Sequence, residues 1–270
     1  MYDMSPKLLK FLLGTYGDSL ASETTLHRWG KQEATRCPLC GWRYCTQSHV
    51  LSGCPVSLQQ GRYTFRHDLV LKVLFTAIRE AAKGVTLENV KPRVPLQEQV
   101  RFVRSGETCP NSSKAEPPLL QQAADWKVIA DFNGKWEGDA EGIPTHVVAH
   151  TSERPDIIMW SDTLRLVVIL ELTVPAEVNV QAANTRKRSR YGGLSSEIQL
   201  TTNDEGVGWK VSVFPVEVTV RGFIARSVHT LLKTLGLPCK KRLKNNLSKM
   251  AVRGSYVIWQ NRDNVRWQGK

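Results

Sequence analysis

Residues 154–175 read RPDIIMWSDTLRLVVILELTVP, and this stretch decides the fold. Two runs rich in Ile, Val, Leu and Trp, 156–160 and 165–174, flank the turn-forming Ser161-Asp162-Thr163, which is the pattern of two strands. Side chains alternate along a strand, so Glu171 and Thr173 share a face with Val167 and Ile169. A glutamate between Leu170 and Leu172 is expected to lose most of its hydration, and a buried anion needs a cation, a metal or a proton. Asp156 stands at the start of the first run, after Pro155, so a hairpin would bring both carboxylates to one end of a sheet.

Outward from this stretch the periodicity changes. Ala176 to Leu194 reads as a helix on which Lys187 shares a face with Tyr191, with Arg186, Arg188 and Arg190 around it. Lys127–Asp131 and Lys210–Val220 read as further strands. Leu231, Leu232 and Leu235 fall on a helix ending near Gly236 and Pro238. Upstream, residues 62–82 place Leu69, Val73, Leu74, Ala77 and Ile78 at helical spacing, with Arg66-His67-Asp68 opening that helix. Here His67 reads as a packing or capping histidine. Strands alternating with helices predict an α/β fold. The proline-containing stretch from Gly84 to Pro118 reads as a linker. The expected division is therefore a zinc and helical module over 1–83, a linker over 84–118, a core over 119–225 and a basic helical extension over 226–270.

The second informative stretch is RCPLCGWRYCTQSHVLSGC, residues 36–54. Cys37 and Cys40 lie two residues apart around Pro38-Leu39, and His49 and Cys54 follow at a spacing that returns two more ligands. Three thiolates and an imidazole suit tetrahedral zinc, and four filled positions make the site structural. Disulfides are the competing reading, disfavoured if the thiols are kept reduced. Cys45 is a possible substitute ligand; Cys109 and Cys239 read as free thiols.

The 270 residues carry 37 Lys and Arg against 25 Asp and Glu, a net charge of +12. Residues 226–270 hold eleven basic side chains against Asp263 alone, so nearly all the excess lies there, Lys240-Lys241-Arg242 included. Such a concentration points to a polyanion, nucleic acid first, or to a merely solvated surface. Arg186–Arg190 can likewise be read as a nuclear localisation run. No run approaches the roughly 20 apolar residues of a membrane helix, and a nuclear or cytoplasmic protein is expected.

Taken in order, these pieces resemble the C-terminal part of non-LTR retrotransposon polyproteins, where a Cys-Cys-His-Cys zinc knuckle precedes a restriction-like endonuclease of PD-(D/E)xK type. The matching residues are the CPLC motif with His49 and Cys54, Arg66-His67-Asp68, Arg154-Pro155-Asp156, Glu171-Leu-Thr-Val-Pro175 with Glu177, Arg186-Lys187 through Tyr191, Gly208-Trp209, Pro215-Val-Glu217-Val, Arg221-Gly-Phe223, Trp259 and Trp267. The resemblance implies a PD-(D/E)xK core with Asp156 and Glu171 as Mg²⁺ ligands. It implies that Lys187, displaced to the following helix, activates or orients the attacking water, with Tyr191 supporting it. Arg154, Arg188 and Arg190 become candidate phosphate contacts, and Lys240, Lys241 and Arg242 a nucleic-acid clamp. The partner implied is DNA, and possibly element RNA, with structural Zn²⁺ and catalytic Mg²⁺. The chain departs from the pattern at Thr173, where most PD-(D/E)xK enzymes carry the lysine, and at Ala176, where the family has tryptophan. It also lacks a YxDD-like polymerase signature. The alternative is a nucleic-acid-binding remnant without catalysis.

Overall fold

A computed structural model describes residues 4–91, 116–149, 151–201, 206 and 208–267. Most of the expected linker, Cys109 with it, lies outside them. The described chain is mixed α/β. The elements are α1 (Pro6–Tyr16), α2 (Glu23–Arg28), α3 (Pro55–Gln59), α4 (Arg62–Lys83), β1 (Lys127–Phe132), β2 (Lys135–Gly138), β3 (Ile157–Ser161), β4 (Leu166–Thr173), α5 (Val180–Arg190), α6 (Gly192–Leu200), β5 (Lys210–Glu217), α7 (Arg226–Leu235) and α8 (Lys240–Gln260).

The five strands form one sheet in the order β2-β1-β3-β4-β5. The first four pair antiparallel and β5 joins β4 in parallel across the α5–α6 crossover. Ile157 pairs with Leu170, so Asp156 and Glu171 are the next residues along the β3–β4 ladder. β4 lies inside the sheet and is buried on both faces, which explains its unbroken apolar run.

Each face of the sheet has its own helical layer. Met159, Val168, Leu170 and Leu172 pack with Val70, Leu74 and Ile78 of α4, Leu231 of α7 and Leu247 of α8. Ile158, Val167 and Ile169 pack on the opposite face with Tyr191, Leu194 and Ile198. Removing such side chains from water contributes about 1.5–3 kcal/mol each.

Three expectations change. The single helix expected over 176–194 is a 3₁₀ turn at Glu177–Asn179 followed by α5 and α6, which break at Tyr191. The break carries the Tyr191 ring into the core, where it is fully buried, immediately before Gly192-Gly193. Residues 226–260 are not an appendage. Leu243, Leu247 and Ala251 belong to the same core as the sheet, and Val252, Ile258 and Trp259 join the core of the N-terminal module. Finally, α4 was assigned to that module, yet it covers the sheet.

Gly254 is where α4 and α8 meet most closely. A β-carbon placed there would lie 2.6 Å from Arg66 Cγ and 2.9 Å from its Cα. The two helices run antiparallel: Gly254 meets the start of α4, while Arg242 and Leu243 line a cavity with Gly84 and Val85 beyond its end.

Candidate functional site

The β3–β4 pairing and α5 bring Asp156, Glu171 and Lys187 to one point. The Asp156 N–H donates to Glu171 Oε2 at 3.1 Å, and the Leu172 N–H donates to Asp156 Oδ2 at 2.7 Å. Lys187 Nζ forms an ion pair with Glu171 Oε1. Glu171 is only 2% exposed, and burial followed by the nearby Asp156 charge pushes its carboxyl pKa up, against the opposing pull of Lys187. Tyr191 lies beside Glu171. Burial and that carboxylate push its phenol up as well, and its hydroxyl donates to the Arg154 carbonyl at 3.3 Å.

His67, expected as a packing or capping histidine, completes the cluster. Its Nε2 lies 3.1 Å from Asp156 Oδ2, and its Nδ1 lies 3.1 Å from Asp68 Oδ1. Burial alone would lower its pKa. The flanking carboxylates, Asp156 foremost, outweigh that and push it up to about 10, so both ring nitrogens donate. None of these bonds uses Asp156 Oδ1. The signal available in the sequence was the Arg66-His67-Asp68 triplet at the start of a helix that also has to cover the sheet.

Arg66, one residue earlier, ties three regions together. It is buried and donates to the carbonyls of Leu51 at 2.7 Å and Val174 at 3.3 Å, and to Ser255 Oγ at 3.3 Å. The cysteine-rich loop, the end of β4 and α8 therefore converge on one guanidinium. Thr173, at the position where most PD-(D/E)xK enzymes carry the lysine, has a buried hydroxyl without a hydrogen-bond partner.

A further buried acid, Glu217 at the end of β5, pairs with Thr173 across the β4–β5 ladder. It accepts from Asn184 Nδ2 at 2.9 Å and from the Ser227 hydroxyl. These partners give it a structural explanation in tying α5 and α7 to the sheet.

The expected phosphate contacts are already engaged. Arg154 makes a two-pronged pair with Asp131, at 2.8 and 3.0 Å, over the Trp136 ring, and Arg190 reaches Glu153 at 3.3 Å. The side chain of Arg188 lies outside the described residues. Lys240, Lys241 and Arg242 open α8 at the end of α4 opposite to His67, about 25 Å away for a helix rising 1.5 Å per residue. They stand apart from the carboxylate cluster.

At the other site, the ligand atoms of Cys37, Cys40, His49 and Cys54 lie within 4.8 Å of one another, with Cys40 Sγ 3.3 Å from His49 Nε2. Three sulfurs and an imidazole at that separation can hold a zinc ion. Cys45 is fully buried and stands outside the group. Burial pushes the Cys40 thiol up to about 11. At Cys54 burial acts in the same sense, but N–H donors of Ser57 and Val56 and the Ser57 hydroxyl prevail and hold the thiol below its ordinary value.

No helix among the described residues is long and apolar enough to cross a membrane. Comparison of the chain with protein-family models and with curated proteins gives no match.

Proposed function

We propose that this chain is a Mg²⁺-dependent DNA endonuclease of the PD-(D/E)xK type, like the C-terminal part of non-LTR retrotransposon polyproteins. The observation that carries the reading is the convergence of Asp156, Glu171 and Lys187 across the β3–β4 ladder and α5. Two neighbouring carboxylates supply the hard oxygen donors that Mg²⁺ takes, with water and a substrate phosphate completing its shell. The cation, when bound, supplies Lewis-acid stabilisation of the charge that develops at the phosphate.

The chain's own residues supply the rest. Lys187, held against Glu171, orients a water for attack and places a positive charge beside the developing oxyanion. Tyr191 fixes the α5–α6 break that aims Lys187 into the cluster. His67 holds Asp156 Oδ2 in place while Oδ1 stays outside that contact. The zinc module packs through α8, and its exposed Trp42 and Tyr44, the latter beneath Arg43, add an aromatic and cationic surface suited to nucleic acid. DNA is the proposed partner, with element RNA as a second polyanion, in nucleus or cytoplasm.

One observation favours a second reading. His67 and Lys187 already serve Asp156 and Glu171 as cationic partners, an arrangement that also satisfies the two acids in a binding protein without catalysis. Supercoiled plasmid nicking separates the two. Mg²⁺-dependent nicking that disappears in Asp156→Asn and Glu171→Gln supports the nuclease, and DNA binding without nicking at any Mg²⁺ or Mn²⁺ concentration supports the binding protein.

A further inference from the structure

A cavity of about 510 Å³ lies between the first half of α4 and the β1–β2 hairpin, with Asp68, the residue after His67, in its wall. Three aromatic side chains line it: Phe65, Phe132 and Trp267. All three are half-buried, Phe132 and Trp267 resting against the two cores beneath. Trp267 is held from two sides, with the Arg62 guanidinium 5.0 Å from its centroid and the Phe65 ring edge-on at 5.5 Å. Lys72 sits 5.2 Å over Phe132 and pairs with Glu137 at 3.1 Å, and Asp68, the other acid of the wall, meets His67 through Oδ1. Asp68 is linked to the cluster through His67, at 3.1 Å on each side.

We infer that this cavity receives one unstacked nucleobase, guanine, from the nucleotide next to the phosphate under attack. The inference rests on the nuclease reading for its partner. A partly open cavity of this size, walled by preorganised aromatic rings, suits a flat heteroaromatic ligand. Single-stranded bases are bound by stacking on such rings and by hydrogen bonds to their Watson–Crick edge. A carboxylate accepts and does not donate. Guanine alone among the bases turns two adjacent donors, N1–H and the N2 amino group, toward one carboxylate. Thymine flanks its single N–H with two carbonyls that Asp68 repels, and the amino groups of cytosine and adenine adjoin an acceptor nitrogen.

The test uses zinc-loaded full chain without Mg²⁺, and fluorescence anisotropy of a labelled thymidine octamer whose central position is guanine, thymine or abasic. Wild type is expected to bind the guanine strand about tenfold more tightly than the abasic strand, and Trp267→Leu and Phe132→Leu to bring the two within about twofold. Asp68→Asn is expected to erase the preference for guanine over thymine. Variants are compared once their zinc content and urea midpoint match wild type, with Phe65→Leu as a further choice if one fails. Equal affinity of wild type for the three strands, or discrimination untouched in the folded variants, overturns the inference. Plasmid nicking in Mg²⁺ is scored separately. Nicking by a wild type that does not discriminate among the three strands removes the pocket alone, and discrimination by wild type without nicking upholds the pocket and removes the nuclease reading alone.

Discussion

Nε2 of His67, on α4, lies 3.1 Å from Oδ2 of Asp156, the residue just before β3. This contact joins the helix that follows the cysteine-rich module to the candidate catalytic hairpin. Arg66, one residue earlier, grips Leu51 of that module and Val174 after β4. A disturbance at the Cys37-Cys40-His49-Cys54 group has a short covalent and hydrogen-bonded route to Asp156.

The same contact sets a pH dependence. The folded-state pKa of His67 is raised above the unfolded value near 6.5 to about 10, so the protonated form is favoured by folding. The stability it contributes is fully present below pH 6.5 and is lost as pH rises toward 10. Zinc-loaded, Mg²⁺-free protein should lose a few kcal/mol of unfolding free energy between pH 6.5 and 9.5 in urea titrations. His67→Gln should start less stable and stay flat over that interval. A wild-type curve as flat as that of His67→Gln contradicts the assignment.

Zinc removal should act on the N-terminal module first. Protein purified without added metal should hold one zinc ion per chain. Cys37→Ser, Cys40→Ser, His49→Ala and Cys54→Ser should each lose it, while Cys45→Ala, whose sulfur stands outside the four-ligand group, should keep it. Chelation should expose amides of residues 34–60 to hydrogen exchange before those of β3 and β4, because the module's remaining core is small and separate from the core of the sheet. Zinc retained by Cys54→Ser but lost from Cys45→Ala would reassign the ligands.

Gly254 should not tolerate a side chain. A β-carbon there meets Arg66 at 2.6–2.9 Å, backbone included, so α4 and α8 would have to separate. Gly254→Ala should cost about 1–3 kcal/mol, as overpacking does, and Gly254→Val more. Urea midpoints check this, and an unchanged midpoint for Gly254→Val would show that the helices are not in close contact there.

Much of this was legible in the sequence. The two apolar runs on either side of Ser161-Asp162-Thr163 gave the β3–β4 hairpin and with it the Asp156–Glu171 pairing, because an antiparallel ladder fixes which residues oppose each other. The spacing of Cys37, Cys40, His49 and Cys54 gave the four-ligand group that could hold zinc, since metal ligation is local. β2 was missed although Asn133-Gly134, both at positive φ, is a hairpin turn signature. Its Lys135-Trp-Glu-Gly strand is short and polar and offers no alternation to read. The roles of His67 and Arg66 were not legible, because both depend on which helix covers the sheet. The placement of Lys240-Lys241-Arg242 away from the carboxylates was equally hidden, since charge counting along a chain carries no information on where α8 packs.

Lys187 offers a check on chemistry apart from binding. Lys187→Ala removes the cation from Glu171 without removing either acid. It should lower the nicking rate by about 10²–10⁴-fold, the usual contribution of a positioned proton-transfer group. Plasmid affinity should change little. A loss of affinity in step with the loss of rate would instead place Lys187 among the DNA contacts.

The central claim is that Asp156 and Glu171 together hold the catalytic cation. Single-turnover nicking of supercoiled plasmid, measured against Mg²⁺ concentration for wild type, Asp156→Asn and Glu171→Gln, tests it most directly. Wild type should show saturable Mg²⁺ dependence and neither variant should nick above background, with zinc content unchanged in all three. Nicking at the same rate by wild type and both variants would contradict it.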